Sequence, residues 1–178
     1  QFIRTMISAS SKFDVMYKYE NGMPLNNQEQ SLLQQVDIEE WAGYDLFKSL
    51  NGADCFHCHN GPLMRVKKYS NNGLDANFTD LGRGAVTQNP EDYGKFKVPT
   101  LRNIALTAPY MHDGRYKKLK DVLDHYAHLE DKQVLSKELK RKKLNLSSND
   151  QKDLIAFLKT LSDKQFLFDD RFKYAPLK

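Results

Sequence analysis

Cys55-Phe56-His57-Cys58-His59 holds both cysteines of the 178-residue chain and has the C-x-x-C-H form that attaches a c-type haem. The spacing has a geometric reason. Two thiols three positions apart on one turn of helix reach two vinyl groups on one porphyrin edge. The histidine that follows then turns its imidazole onto the iron. On this reading Cys55 and Cys58 become thioethers and His59 is the proximal ligand. Other uses of the pair fit less well. A thioredoxin-like C-x-x-C needs a βαβ surrounding that the sequence does not supply. Structural zinc needs a second ligand pair at zinc spacing, and His112, His125 and His128 are scattered. A disulfide between Cys55 and Cys58 would close a loop too short to stabilise much.

The rest of the chain has to house that group. Hydrophobic residues at 40% and charged residues at 28% mark a globular domain with enough chain to bury a core. No run of eighteen apolar residues marks a membrane span, and no signal peptide is visible. The chain opens at Gln1, and Gln1 to Ile7 already has a helical pattern, which suggests a piece of a longer chain. Thioether haem is attached outside the bacterial inner membrane, so the motif implies a periplasmic protein. The net charge of +4 is densest over Lys137-Glu138-Leu139-Lys140-Arg141-Lys142-Lys143, which reads as a solvated surface run rather than a docking face. No nucleic-acid motif accompanies it.

On the N-terminal side, Phe13, Met16 and Tyr17 give a short amphipathic segment that Asn21-Gly22-Met23-Pro24 breaks. Asn26 or Asn27 caps a helix that continues, with an interruption near Val36-Asp37, to about Ser49. Trp41, Tyr44, Leu46 and Phe47 are its bulky face. On the C-terminal side, glycines and prolines punctuate Gly61 to Asp113 too often for helices, and a loop that long is normally functional. Wrapping a haem gives it something to pack against. A helix over about Leu119 to His128 carries the stripe Leu119, Val122, Leu123, Tyr126. A second, over about Asn149 to Leu161, begins at a capping box of Ser147 and Asp150. The expectation is an all-α fold: a cytochrome c-like helical domain at 25–165 with a long irregular haem-wrapping loop, an inter-domain linker helix region at 1–24 and a C-terminal tail at 166–178.

Two stretches carry a family resemblance. Val98-Pro99-Thr100-Leu101-Arg102-Asn103-Ile104-Ala105-Leu106-Thr107-Ala108-Pro109-Tyr110-Met111-His112-Asp113-Gly114, with Cys55 to Pro62, resembles the bacterial di-haem cytochrome c peroxidases and their MauG relatives. The likeness extends through Leu119 to Tyr126 and the final helix. Such proteins have two cytochrome c-like domains. An N-terminal haem reacts with hydrogen peroxide, and a C-terminal haem passes it electrons. With one C-x-x-C-H, this chain resembles the C-terminal half alone. The resemblance implies an electron-transfer haem domain that works with the N-terminal haem domain of the same protein. It also implies an electron-donor cytochrome or cupredoxin as partner, and a homodimer as is frequent in the family. The alternative is a stand-alone mono-haem electron carrier.

The sixth iron ligand decides the chemistry. His57 lies inside the motif and cannot reach the opposite haem face. His125 and His128 fall off the apolar stripe of their helix. Met111, His112 and Tyr126 remain. Thioether ligation raises a cytochrome's potential, whereas a phenolate favours ferric and higher-valent iron. The resemblance favours Tyr126: peroxidases carry a ligating methionine at this position, and MauG proteins a ligating tyrosine. MauG-type oxidation of a substrate is therefore an expectation alongside peroxide reduction. The resemblance further implies a calcium ion held partly by the backbone carbonyls of Thr107 and Pro109. Arg102 is expected to partner a haem propionate.

Overall fold

The computed structural model describes residues 5–129 and 144–172. The basic run at Lys137–Lys143 lies outside them. The elements are α1 (Lys12–Glu20), α2 (Asn27–Leu33), α3 (Ile38–Lys48), a 3-10 turn at Cys55–His57, β1 (Tyr69–Ser70), α4 (Arg83–Thr87), β2 (Phe96–Lys97), α5 (Leu119–Ala127), α6 (Ser148–Thr160) and α7 (Lys164–Leu167). The fold is thus a cytochrome c-like helical domain with a long, mostly irregular excursion between α3 and α5.

The helices start where side chains can satisfy their orphaned N–H groups. Asn26 accepts from the Glu29 N–H, and the Glu29 carboxylate returns the contact to the Asn26 N–H. Ser147 and Asp150 do the same for α6. Asp37 and Glu40 form a further box, which turns the expected interruption at Val36-Asp37 into a full break between α2 and α3.

Apolar faces of α1, α3, α5 and α6 close one core. Phe13 and Met16 of α1, Tyr44 and Phe47 of α3, Leu123 of α5, and Leu154, Phe157 and Leu158 of α6 are buried together. The Phe157 ring lies 5.0 Å from both Tyr44 and Phe47. Gly43 lets α3 and α6 approach. A methyl group there would sit 1.9 Å from the Asp153 carbonyl oxygen. The α1 segment, read from sequence as part of a linker, therefore belongs to the core. Ala53 and Met64, on either side of the cysteine motif, join the same cluster. The core ends at that motif.

Two features depart from the sequence expectation. A two-stranded antiparallel sheet pairs Tyr69 with Lys97 and Ser70 with Phe96. Strands of two residues are too short to show a period-2 pattern. The tail from Phe166, expected to be irregular, takes part in α7 (Lys164–Leu167) and in a 3-10 turn at Asp170–Phe172.

Candidate functional site

The site begins where α3 stops. The Ser49 carbonyl takes the N–H groups of Gly52 and Asp54, and the Leu46 carbonyl takes that of Ala53. Asp54 then adopts a left-handed φ of 51°, which turns the chain into the Cys55–His57 coil. The N–H groups of Cys58 and His59 both reach the Cys55 carbonyl, at 3.1 and 2.9 Å. Both cysteines and His59 are thereby wound onto one turn. The cysteines are not joined by a disulfide.

His59 is held from behind. Its Nδ1 lies 3.4 Å from the Met64 carbonyl oxygen, and the Pro99 carbonyl is a second acceptor for the ring. A histidine whose Nδ1–H is given to a backbone carbonyl keeps Nε2 unprotonated and available to a metal. Burial pushes the imidazole's pKa below its ordinary value, against those two contacts, so the ring stays neutral. Met64 has φ 48°, which aims its carbonyl at two donors, His59 and the Leu101 N–H at 3.3 Å.

The two resemblance motifs dock here. The Thr100 Oγ1 donates to the Leu63 carbonyl at 2.6 Å, and Arg102 Nε donates to the Pro62 carbonyl at 2.8 Å. Arg102, expected at a haem propionate, is committed elsewhere. Nη1 and Nη2 hold both carboxylate oxygens of Asp14 at 2.7 and 2.5 Å, and the guanidinium lies over the Phe13 ring. Its side chain is only 7% exposed. The propionate role gives way to a buried tie between α1 and the loop after the cysteines.

Tyr126 reaches the cysteine pair from α5. Thiolate charge on Cys55 or Cys58 would be felt by its phenol, so the groups are near one another. Burial pushes the phenol up to about 12 and the Cys55 thiol up to about 12. A Cys55 thiol held that high stays protonated at neutral pH. Yet Cys55, Cys58, His59 and Tyr126 all keep partial surface exposure. Two thiols and an oriented imidazole on one turn, with a phenol brought near them from α5, are the donor set that a covalently attached haem takes.

Met111, another candidate ligand, lies nearby with φ 72° and its Sδ accepting from Asn72 Nδ2 at 3.4 Å. Asn72 also hydrogen-bonds the Tyr126 phenol, and its carbonyl oxygen is 3.0 Å from His125 Nε2. Sequence reasoning missed Asn72, Met64 and Pro99. Asn72-Gly73 read only as a turn, and the contacts of Asn72 to Met111 and His125 span 39 and 53 residues. His57 is turned away toward Asp54, at 2.6 Å. Thr107 and Pro109 are exposed, flanking the cis Ala108-Pro109 bond.

Among the described residues, one group has metal-ligand proximity, Asp75, His112 and Asp113. Arg115 bridges its carboxylates, bonding Asp75 at 2.9 and 2.8 Å and Asp113 at 2.7 Å. His112 is stacked on Phe96 at 3.8 Å. A guanidinium occupies the place a cation would take, and the cysteines belong to no such group.

No protein-family model matches the chain. Among curated proteins it is 34% identical over 169 residues to the cytochrome c551 peroxidase of Nitrosomonas europaea, covering 93% of this chain and 43% of that protein. It is 35% identical over 122 residues to the methylamine utilization protein MauG of Methylophilus methylotrophus, covering 67% and 35%. Among solved structures it resembles a MauG-like protein associated with microbial copper homeostasis, with 30% identity and a TM-score of 0.73 over 93% of this chain and 55% of that one. The fold is that of a cytochrome c-like helical domain. The chain belongs to the bacterial cytochrome c peroxidase and MauG family, of which it matches the C-terminal part. It spans somewhat under half the length of the curated relatives it matches.

Proposed function

We propose that this chain is the electron-transfer haem domain of a periplasmic di-haem peroxidase, carrying one haem c on Cys55 and Cys58. Haem iron, when bound, supplies one-electron redox chemistry. The residues determine how that chemistry is poised. His59, its Nδ1 facing the Met64 carbonyl, would offer Nε2 to the iron. Tyr126 would offer its phenol as a further ligand, which favours oxidised iron and a low potential, as the MauG resemblance implies. The apolar core behind the motif keeps water from one side of the group.

The observation that carries this reading is the convergence of a helix-borne tyrosine on an oriented C-x-x-C-H turn. Hydrogen peroxide would be reduced in the N-terminal half of the full protein. The electrons would come from a small donor cytochrome or cupredoxin, or from a substrate oxidised in the MauG manner. Thr107 and Pro109 would offer exposed carbonyls to a calcium ion whose other ligands lie in that half.

The test is the ferric optical and electron paramagnetic resonance spectrum of the chain matured in a haem-attaching periplasm. A phenolate-ligated signature is expected, and Tyr126→Phe should abolish it. A methionine-type charge-transfer band, with no change in Tyr126→Phe, would overturn the tyrosine ligand. Two haems in the full-length protein support the peroxidase, whereas one supports a stand-alone carrier.

A further inference from the structure

Asn72 connects two of the groups weighed for the iron's sixth position. A primary amide has two N–H bonds and one carbonyl oxygen to give. The Oδ1 of Asn72 accepts the Leu74 N–H at 3.2 Å. Its Nδ2 donates to the Met111 Sδ at 3.4 Å, and the Tyr126 phenol is the side chain's other partner. The backbone holds the same neighbourhood in place, since the Asn72 carbonyl oxygen lies 3.0 Å from Nε2 of His125, one residue before Tyr126 on α5. The thioether and the phenol are therefore each a single contact from one amide group.

We infer that Asn72 is a positioning residue that selects the sixth ligand, steadying the Tyr126 phenol beside the cysteine pair and retaining the Met111 thioether in its loop. The inference rests on the Tyr126 reading proposed above and deepens it. An N–H donor to a phenolate is a charge-assisted contact, whereas a thioether is a weak acceptor. The same amide thus supports one ligand strongly and detains the other with a bond that is easily given up. Without it, both donor atoms compete for one position.

The experiment uses the haem-loaded chain. Asn72→Leu keeps a similar volume and removes every side-chain hydrogen bond. The ratio of phenolate-ligated to methionine-ligated ferric iron should fall by roughly tenfold or more, the weight of one hydrogen bond to a charged group. A methionine-type charge-transfer band should appear, the reduction potential should rise, and adding Met111→Leu should remove the new band. Should Asn72→Leu not accumulate, Asn72→Asp keeps the shape while losing both N–H donors and is read the same way. An unchanged phenolate spectrum in these variants overturns the inference. So does loss of the phenolate signal without any methionine band. Failure of the Tyr126 reading is separate, because it appears in the parent chain and in Tyr126→Phe before Asn72 is altered.

Discussion

Single side chains here fasten distant parts of the chain. Asp163, 1% exposed, accepts from the N–H groups of Ala9, Ser10 and Phe166 and from the Ser8 hydroxyl, at 2.8 to 3.1 Å. Burial alone would raise its pKa, but those donors outweigh it and hold the carboxyl below the usual carboxylate range. A carboxylate depressed in the folded state contributes stability that is present above the ordinary value and lost as the pH falls through the folded one. Acid unfolding should therefore steepen from about pH 4 downward. Asp163→Asn should cost about 2–4 kcal/mol near neutrality, since buried donors lose their charged acceptor, and should flatten that acid limb. Urea unfolding at a series of pH values measures both. An acid limb of unchanged slope would show that other carboxylates govern it.

At the scale of elements, the crossing of α3 and α6 sets where the cysteine motif begins. Gly43 is the contact point, and the obstacle to a larger residue is the Asp153 backbone, which cannot swing aside. Gly43→Ala should destabilise by about 2–3 kcal/mol or more despite its better helix propensity, because overpacking at a backbone contact outweighs it. A raised or unchanged midpoint on thermal unfolding would show that the helices can part without cost. Ser147→Ala, which removes the cap of α6, should cost about 1 kcal/mol. Its effect should be confined to unfolding and leave any haem spectrum untouched. The cap positions of α2 and α6 were legible in the sequence, because a capping box is local chemistry. Gly43 was not, because its neighbour lies on another helix.

The whole molecule is joined at Arg102. This one guanidinium ties α1, through Asp14, to the Pro62 carbonyl that follows the cysteine motif. Removing one partner of a buried, hydrogen-bonded pair costs about 3–5 kcal/mol. Arg102→Ala should therefore weaken the domain by that order and loosen the loop that presents the Met64 carbonyl to His59. Hydrogen exchange should show lost protection at both Asp14 and Met64. Loss at one site alone would mean that the two segments are stable independently. A haem joined to Cys55 and Cys58 would stay on the chain when it unfolds, so it should raise the unfolding midpoint only through the apolar surface it buries in the native state.

The sequence by itself determined the C-x-x-C-H turn, the caps of α2 and α6, the apolar stripe that carries Tyr126, and the family. All of these rest on residues within a few positions of each other or on an ordered pair of motifs. The tertiary structure alone decided what those residues touch. It moved Arg102 from a presumed propionate to Asp14 and brought α1 into the core. It gave His59 its Met64 and Pro99 acceptors and placed Asn72 between Met111 and Tyr126. Such contacts are made across 5 to 88 residues, and no local pattern encodes them. Their partners are chosen by how the helices pack.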